Sequence, residues 1–284
     1  MKILVIGSIN VDLTTITKVL PNQGETVIGE SFHILPGGKG ANQAVAAARL
    51  GADVSFYGKV GDDHFAEYSL LNFKQCGIDT ALIEKVDEST GVANIIVYEN
   101  DNRIIINQGA NAKFSIDAFD TNILDAFDIV LLQYEIDIDF THFIIQEAHK
   151  RSKIVVLNPA PYNEKFSLEI LDQVDYLIAN QIEAESMFKQ DYQKSIKKYP
   201  KKILVTLGKD GVIYYDGKEM IQIIAEKVPV VDTTGAGDTF CGAFVSALAS
   251  GMTLHQAVMK AVVAGTYSVQ KLGAQSAMPW KGEI

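Results

Sequence analysis

Short runs of apolar, often β-branched residues alternate along the chain with segments whose apolar residues recur every three or four positions. The short runs predict strands, which fall at residues 2–9, 53–59, 129–133, 154–157, 176–179, 203–207 and 212–215. The periodic segments predict helices, which fall at residues 41–50, 64–75, 140–150 and 168–173. Several central strands are apolar throughout, as is typical of parallel strands buried by helices on both faces. The pattern therefore predicts an α/β fold, with a doubly wound and mostly parallel sheet flanked by helices.

Two regions break this alternation, at about residues 14–35 and 91–108. Both carry strand-like residues with no helical segment between them. The stretch GVANIIVYENDNRIIINQG predicts a hairpin that turns at residues 99–102. Strands outside the main sheet predict a small discontinuous β-sheet that serves as a lid over a cleft. Without repeats or linker-like tracts, the chain is expected to form one domain over residues 1–284.

Composition narrows the function classes without changing this picture. Of 284 residues, 48% are hydrophobic and 21% are charged, which is typical of a soluble globular protein. No apolar run approaches the roughly 18 residues of a membrane span, and the N-terminal MKILVIGSIN is predicted as a first strand and not as a signal peptide. The formal net charge of −10 disfavours nucleic acid as a partner, because phosphate backbones attract basic surfaces.

The cysteines add a prediction about the cellular compartment. Cys76 and Cys241 are far apart in the sequence, and neither has zinc-ligand spacing to a histidine. Both are predicted to be reduced core thiols, which indicates the cytoplasm.

The first candidate for chemistry is VVDTTGAGDTF, residues 230–240, which follows a predicted strand end, EKVPVVD. Gly235, Ala236 and Gly237 stand where apolar residues at helical spacing begin. The N–H groups of a first helical turn lack intrahelical acceptors, and small residues let a phosphoryl group approach them. Asp238 would repel a phosphate but can accept the proton of an attacking hydroxyl. The alternative is a plain strand-to-helix turn in which Asp238 only offsets the helix dipole.

A second glycine-rich stretch is PGGKGANQAVAAARLG, residues 36–51. Its spacing matches neither a Walker A loop nor a dinucleotide fingerprint. The glycines predict a flexible elbow, Lys39 supplies a cation and Asn42 an amide, and such groups suit a polyhydroxylated ligand. The alternative is that Asn42 caps an alanine-rich helix that packs closely.

Three further motifs stand next to predicted strand ends. In GSINVD, residues 7–12, Asn10 and Asp12 can grip vicinal hydroxyls or simply form a turn. In ANQIEAE, residues 179–185, Asn180 and Glu183 form a capping box or organise a hydrated Mg²⁺. VTLGKDG, residues 205–211, is a nucleotide-binding edge or a β-turn.

These motifs together resemble a known family. GSINVD, GGKGANQAVAAA, NPAP, NQIEAE, VTLGKDG and DTTGAGDTF occur in the order and spacing of the ribokinase-like sugar kinases of the phosphofructokinase B type, and the resemblance covers residues 2–280. It implies transfer of the γ-phosphoryl group of ATP to a sugar hydroxyl, with Mg²⁺ and a monovalent cation, usually K⁺. It also implies a homodimer formed through the β lid. The expected acceptor is the 5-hydroxyl of D-ribose.

The resemblance assigns roles to matching residues. Asp238 matches the catalytic base, and the anion hole is matched by Gly235, Ala236 and Gly237. Sugar-binding positions are matched by Asn10, Asp12, Gly38, Lys39, Asn42, Glu135 and Asp238. Nucleotide-side positions are matched by Asn180, Thr206, Gly208, Gly211 and Gly237, with Mg²⁺ held through water by Glu183. The cation loop is matched by Asp232, Thr234, Ser268, Lys271 and Gly273.

The sequence departs from the family pattern at three places. Residues 187–202 are shorter than in most relatives, which predicts a truncated outer helix, and the chain ends soon after Trp280, where part of a final helix is expected to be missing. Ala277 stands where some relatives have a hydroxyl, which puts that part of the cation site in doubt.

Other functions stay open beside the ribose kinase. A kinase for 2-deoxyribose, adenosine or a ketohexose is possible on the same fold. A non-catalytic sugar or nucleotide sensor is disfavoured by the presence of Asp238 and its small-residue loop. An NAD dehydrogenase is disfavoured by the missing fingerprint.

Overall fold

A large sheet forms the centre of the computed structural model, which describes residues 1–99, 101–189 and 191–284. Its strands in chain order are β1 Lys2–Ile6, β4 Asp53–Val60, β5 Ile83–Lys85, β8 Ile129–Gln133, β9 Ile154–Asn158, β10 Tyr176–Asn180, β11 Ile203–Thr206, β12 Val212–Tyr215 and β13 Met220–Ile223. In space they lie in the order β13-β12-β11-β10-β9-β8-β1-β4-β5. Neighbouring strands are parallel from β11 to β5, while β12 and β13 pair antiparallel at one edge. The predicted α/β fold is confirmed.

Helices cover both faces of this sheet. Their bounds are α1 Lys39–Arg49, α2 His64–Cys76, α3 Ile138–Lys150, α4 Gln181–Phe188, α5 Tyr192–Ile196, α6 Ala236–Ala249, α7 Leu254–Ser268 and α8 Ala274–Ala277. Alternate residues of β1 point into different cores, Ile3 and Val5 into the core beneath α1, α6 and α7, and Leu4 and Ile6 into the core that includes α3 and α4. Burial on both faces explains why the strand is apolar throughout. None of the described helices is both long and apolar enough to cross a membrane.

A second, smaller sheet lies outside the main one. It contains β2 Asn10–Ile16, β3 Ser31–Gly37, β6 Gly91–Tyr98 and β7 Asp101–Asn107, in the order β3-β2-β6-β7. The predicted hairpin is formed by β6 and β7, where Tyr98 pairs with Asp101; Asn100, in the predicted turn, lies outside the described residues. Its first two strands, β2 and β3, extend beyond the predicted residues 14–35 on both sides, because Asn10 pairs with Gly37.

Three local predictions are wrong. The predicted strand 2–9 ends at Ile6, since Gly7–Ile9 leave the main sheet and lead into β2. The segment predicted as a helix at 168–173 is a 3₁₀ helix, Leu168–Asp172. The stretch 226–232 does not end a strand, because the N–H groups of Val231 and Asp232 donate to Val269 O at the end of α7.

The direction of the connections reverses between β1 and β8. Strands β8, β9, β10 and β11 follow one another to one side, whereas β4 and β5 extend the sheet on the other side of β1. At such a switch point the loops after the two strands diverge and leave a crevice at the carboxyl edge of the sheet. The residues that follow β1 and β8 include Asn10 and Glu135, so the crevice is built from predicted sugar-binding residues.

Helices α1 and α6 approach each other more closely than ordinary side chains permit. A Cβ added at Gly242 of α6 would lie 2.5 Å from Ala46 Cβ and 2.5 Å from Gln43 O, both in α1. Alanines and this glycine therefore set the distance between the two helices. The same contact brings the first turns of α1 and α6, which carry Asn42 and Asp238, to one place.

We expect Gly242→Ala to lower the free energy of unfolding by about 1–3 kcal/mol, because the added methyl overlaps α1 and the helices must separate. Gly265→Ala is the matched control, since its Cβ would meet nothing nearer than Ala236 O at 3.5 Å. That change should stabilise by about 0.5–1 kcal/mol through helix propensity. Denaturant titration of both variants checks the pair, and equal effects would contradict the close approach.

Candidate active site

A cleft of about 200 Å³ opens at the carboxyl edge of the central strands. Its walls come from motifs that are far apart in the sequence: the α1 start, the ends of β9, β10 and β11, and the start of α6. The polar and glycine residues that line it are Lys39, Asn158, Asn180, Glu183, Thr206, Gly235, Gly237 and Asp238. The structure thus brings the predicted base Asp238 and the glycines Gly235 and Gly237 into one crevice with three residues of the predicted nucleotide and magnesium set, Asn180, Glu183 and Thr206.

The glycine-rich loop before α6 has the geometry of an anion-binding turn. Gly235 is left-handed, with φ 73°, and a Cβ there would lie 2.8 Å from Ala274 Cβ, so both conformation and space require glycine. Ala236 N–H donates to Thr233 O at 3.2 Å. The next N–H groups, of Gly237 and Asp238, belong to the first helical turn and have no acceptor within the helix. These two amides, with the positive end of the helix dipole, can bind a phosphoryl group.

Asp238 lies in the same first turn and is held by two amides. Asn42 Nδ2 donates to its Oδ2 and Gln43 Nε2 to its Oδ1, each at 2.9 Å. The side chain is 7% exposed, so a proton acceptor is buried beside the free amides of α6. Its charge is the main cause that raises the pKa of Lys39, against the opposing effect of burial, so Lys39 stays protonated in the cleft. The predicted alternative for Asn42, a helix cap, is wrong: α1 begins at Lys39 after Gly38.

The predicted sugar residues form a second group next to Asp238. Glu135 Oε2 accepts from Ser8 Oγ at 2.5 Å and from Lys39 N at 2.8 Å, and Asn10 Nδ2 lies 3.5 Å away. Asn10 is fixed from its other side, because its Oδ1 accepts from Asn111 Nδ2 at 2.8 Å. Asn10 therefore lies at the start of β2 and not in the turn that the sequence left open.

Asp12 completes this group on β2. Burial, and then the charges of Glu135 and Asp238, raise its pKa from 3.8 to about 7. Burial favours the neutral form of the Asp12 carboxyl, and the two neighbouring negative charges act in the same direction. Hydroxyl groups of a sugar could donate hydrogen bonds to these oxygens.

The glycine elbow before α1 is required by close packing. Gly38 has φ 89°, and its Cβ would lie 2.8 Å from Asn10 N. A Cβ at Gly40 would lie 2.7 Å from Ser8 N. Only residues without a side chain let the start of α1 rest on the segment between β1 and β2. Gly38 thus shapes the predicted sugar site through its backbone. The elbow was predicted to be flexible, but close packing holds it in place.

The nucleotide-side residues divide into two groups. Asn180 and Glu183 form a capping box at the start of α4: Asn180 Oδ1 accepts from Glu183 N, and Glu183 Oε2 from Asn180 N. Both residues also line the cleft, with Thr206, so the structural and the functional interpretations are compatible. Gly208 and Gly211 bound the 3₁₀ turn Gly208–Asp210 between β11 and β12, outside the lining of the cleft.

Glu183 is suited to a hydrated magnesium ion. Its capping contact uses Oε2 and leaves Oε1 for an outer contact. Burial chiefly raises its pKa, and a cation nearby would oppose that shift by favouring the carboxylate. In the parts of the chain that the structure describes, no three His, Cys, Asp or Glu side chains converge as a metal cage. A single carboxylate that acts through water is what Mg²⁺ bound mainly by phosphates requires.

The predicted cation loop forms around Asp232. Its Oδ1 accepts from Thr234 N at 2.9 Å and Thr234 Oγ1 at 2.6 Å, and its Oδ2 from Gly273 N at 2.8 Å. Burial alone would raise the pKa of Asp232, but these hydrogen bonds lower it below its usual value, so the carboxylate is ionised. Ser268 Oγ donates instead to Gly265 O.

Two side chains of this loop are unsuited as cation ligands. Lys271 Nζ donates to Tyr267 Oη at 2.8 Å and is itself positive. Ala277 is fully buried and carries no oxygen in its side chain. Of the predicted cation residues, Asp232 carries an ionised carboxylate, an oxygen ligand that suits a hard cation.

Sequence reasoning missed several polar residues of the site. Ser8, Gln43, Asn111, Asn158 and Gln275 are buried, and each binds a predicted site residue or the backbone beside it. Two of these residues could have been found from their position in the motifs. Gln43 directly follows Asn42 in the glycine-rich motif, and Asn158 is the first residue of NPAP.

An apolar cleft beside α7 was also missed. Its walls include Ile223, Ile224, Val228, Val262, Val263 and Thr266. The α7 wall continues to the anion-binding turn, since Gly265 lies against Ala236 O. Ile224, Val230 and Val263 are exposed in the structure, and large apolar side chains at the surface mark binding sites when they cluster. The sequence alone does not show that these apolar residues are exposed.

Comparison with known proteins finds similarity to carbohydrate kinases along nearly the whole chain. The profile of the pfkB family carbohydrate kinases matches residues 1–281. A ribokinase from Lactococcus lactis is 44% identical over 100% of this chain and 95% of its own length. A deoxyribokinase from Salmonella typhi is 36% identical over 98% of this chain and 96% of its own length. The structure of Arabidopsis thaliana ribokinase complexed with ribose and ATP superposes with a TM-score of 0.88 at 32% identity, covering 98% of this chain and 96% of that one.

The raised pKa of Asp12 predicts a pH-dependent effect on stability. Its folded-state pKa of about 7 lies above the ordinary 3.8, so its stabilising contribution is complete below 3.8 and is lost as pH rises to about 7. We expect Asp12→Asn, which stays neutral, to melt at a higher temperature than the wild type above pH 7. The difference should shrink as the pH falls toward 4, and thermal unfolding across this range measures it. A difference that is constant with pH would contradict the prediction.

Proposed function

Since this chain belongs to the pfkB family of carbohydrate kinases, we propose that it transfers the γ-phosphoryl group of ATP to the 5-hydroxyl of D-ribose and releases ribose 5-phosphate. One observation carries the proposal. Buried Asp238 lies between the free backbone amides of α6 on one side and the side chains of Asn10, Asp12 and Glu135 on the other. An acceptor hydroxyl that reaches Asp238 would then lie next to a phosphoryl group bound to those amides. The family relationship agrees with the resemblance seen in the sequence.

Sugar binding is assigned to the residues around Glu135. Asn10, Asp12 and Glu135 offer carboxylate and amide groups to the ring hydroxyls, and Asn42 and Gly38 close the site from α1. A site built of buried polar groups favours a sugar with all matching hydroxyls, because an analogue that lacks one leaves a buried group unpaired. The cluster of carboxylates at low solvation supports a ligand that donates several hydrogen bonds.

Phosphoryl transfer is assigned to the start of α6. Asp238 takes the proton of the 5-hydroxyl as that oxygen attacks the γ-phosphorus, and the bond to the leaving ADP oxygen breaks. The N–H groups of Gly237 and Asp238, with the helix dipole, stabilise charge on the moving phosphoryl oxygens. Lys39, kept protonated by Asp238, adds a positive charge at the same place.

ATP is assigned to the cleft lined by Asn180, Glu183 and Thr206. When bound, Mg²⁺ would neutralise phosphate charge, and Glu183 would hold it through water. The Asp232 loop would take K⁺, which fixes the turn before Gly235 without contact to either substrate. The apolar cleft at Ile224, Val228 and Val263 is suited to the flat face of adenine.

The small sheet is assigned two roles, as a lid and as the interface of a homodimer. Its edge strand β7 is exposed along its whole length, with Ile104, Ile105 and Ile106 exposed by 51%, 64% and 46%. Three adjacent exposed isoleucines on an unpaired edge favour association with a second copy. The two free and buried cysteines support a reducing compartment such as the cytoplasm.

Asp238→Ala tests the base. We expect kcat to fall by about 100-fold or more, with ribose affinity nearly unchanged, because the carboxylate acts on the proton and not mainly in ground-state binding. Steady-state kinetics and calorimetric ribose binding measure the two effects. Asp117→Ala, an exposed aspartate outside the cleft, is the control and should keep the wild-type kcat. Normal turnover of Asp238→Ala would refute the assignment.

A coupled ADP-release assay tests the acceptor. Ribose should be phosphorylated about 10-fold or more faster than 2-deoxyribose or adenosine at equal concentration. 2-Deoxyribose lacks one hydroxyl partner for Asn10, Asp12 and Glu135, and adenosine carries a base in place of the 1-hydroxyl. Equal or faster turnover of 2-deoxyribose would instead favour the deoxyribose kinase, and turnover of none of the sugars would favour a sensor. Repeating the ribose assay with and without K⁺ measures the cation effect.

Ile105→Asp tests the dimer. A charge on the exposed β7 face should convert a dimer to monomers in sedimentation velocity experiments, because an unpaired carboxylate would be buried in the interface. Ile182→Asp is the matched control, since Ile182 is 75% exposed on α4, away from the small sheet. A wild-type protein that sediments as a monomer would contradict the interface.

A further inference from the structure

Asp238 lies at the end of two chains of buried amide side chains. Its two oxygens accept from different donors, Oδ1 from Gln43 and Oδ2 from Asn42, both at 2.9 Å. Each donor amide has a further amide behind it. Gln43 and Gln133 have no exposed surface at all, so neither can touch a substrate directly. Any effect of Gln43 on the reaction must therefore act through a neighbour that reaches the cleft, which is Asp238 or Asn158.

The first chain runs from β8 through α1 to Asp238. Gln133 Nε2 donates to Gln43 Oε1 at 2.8 Å, and Gln43 Nε2 donates both to Asp238 Oδ1 and to Asn158 Oδ1, the latter at 3.0 Å. Asn158 Nδ2 in turn donates to Ile178 O at 2.8 Å. Both hydrogens of the Gln43 amide are therefore used, and its oxygen has a donor.

The polarity of this chain is fixed by groups that can only accept. Ile178 O is a backbone carbonyl, so Asn158 must turn its NH₂ toward it and its oxygen toward Gln43. An ionised carboxylate also only accepts, so Gln43 must present its NH₂ to Asp238 and Asn158 together. Reversal of the Gln43 amide would place oxygen against oxygen at two contacts. The Gln43 side chain consequently has one orientation.

The second chain comes from the C-terminal segment. Gln275 Nε2 donates to Asn42 Oδ1 at 2.9 Å, and Asn72 Nδ2 donates to Gln275 Oε1 at 2.5 Å. Gln275 O accepts from Arg49, which also binds Met278 O. Because an ionised carboxylate only accepts, Asn42 presents its NH₂ to Asp238, and Gln275 supplies the donor for the Asn42 oxygen. Each oxygen of the Asp238 carboxylate thus accepts from an amide of fixed orientation, and the two hydrogen bonds together fix the plane of the carboxylate.

We propose that Gln43 is a positioning residue for phosphoryl transfer, which holds the Asp238 carboxylate in the orientation that receives the proton of the sugar hydroxyl. Gln133 and Asn158 keep the Gln43 amide turned toward Asp238. This inference rests on the proposed role of Asp238 as the general base. A base that is already oriented loses no rate to carboxylate rotation, and a buried hydrogen bond to a charged group orients more firmly than one in water.

A double-mutant cycle between Gln43 and Asp238 tests the inference. Gln43→Met keeps the length of the side chain and removes its donors. We expect kcat to fall about 10-fold or more, the scale of one hydrogen bond to a charged group, while the KM values for ribose and ATP stay within about threefold. In the Asp238→Ala background the same change should have no further effect on kcat, because its target is gone.

A second variant covers the case in which Gln43→Met does not fold. Gln133→Met removes only the donor behind Gln43, so kcat should fall less than in Gln43→Met and again not at all in the Asp238→Ala background. Ile144→Ala, in the core on the other face of the sheet, is the control for simple destabilisation. It should lower the melting temperature and leave kcat unchanged.

The outcomes separate this inference from the proposed function. Normal turnover of Asp238→Ala would remove the base itself and with it the role of Gln43. A slow Asp238→Ala with a normal kcat in Gln43→Met and Gln133→Met would overturn the inference and leave the base intact. A loss of kcat from Gln43→Met that persists in full in the Asp238→Ala background would also overturn the inference.

Discussion

The close approach of helices α1 and α6 is the constraint on which the site depends. The two helices come from opposite ends of the chain, and they meet through alanines and Gly242, whose missing side chain leaves room for Ala46. At this distance Asn42 and Gln43 reach both oxygens of Asp238. A wider separation would lengthen these hydrogen bonds and leave a buried carboxylate without partners, which is among the more costly defects in a protein interior.

The large sheet supplies the second requirement, a crevice at a fixed place. Because β1 and β8 are adjacent and their connections diverge, the segments after them face each other at the carboxyl edge. Ser8 and Glu135 meet there, and Lys39 N joins them from the start of α1. The glycine elbow is the reason that α1 can lie so near: a side chain at Gly38 or Gly40 would strike the backbone between β1 and β2.

Charge in the crevice is arranged for a polyhydroxylated ligand and a phosphate together. The carboxylates of Asp12, Glu135 and Asp238 lie near one another. Burial, and then the charges of the other two carboxylates, raise the pKa of Asp12. Lys39 and the N-terminus of α6 offset part of that charge on the phosphate side. The carboxylates can accept hydrogen bonds from sugar hydroxyls, whereas Lys39 and the N-terminus of α6 can bind phosphoryl oxygens.

The sequence by itself determined the fold class, most strand positions and the family, because apolar runs and glycine spacing are local properties. Strands 129–133 and 212–215 were predicted with the bounds found, and Asn180, Glu183, Thr206 and Asp238, which line the cleft, were among the predicted residues. It did not reveal α7, whose buried face of alanine and valine has no strong helical contrast, or that residues 226–232 bond to the end of α7. Only the tertiary structure decided the partners of Gln43, Asn158 and Gln275. Hydrogen bonds between side chains some 90 to 230 positions apart have no local pattern, since they arise when separate helices and strands pack into one core.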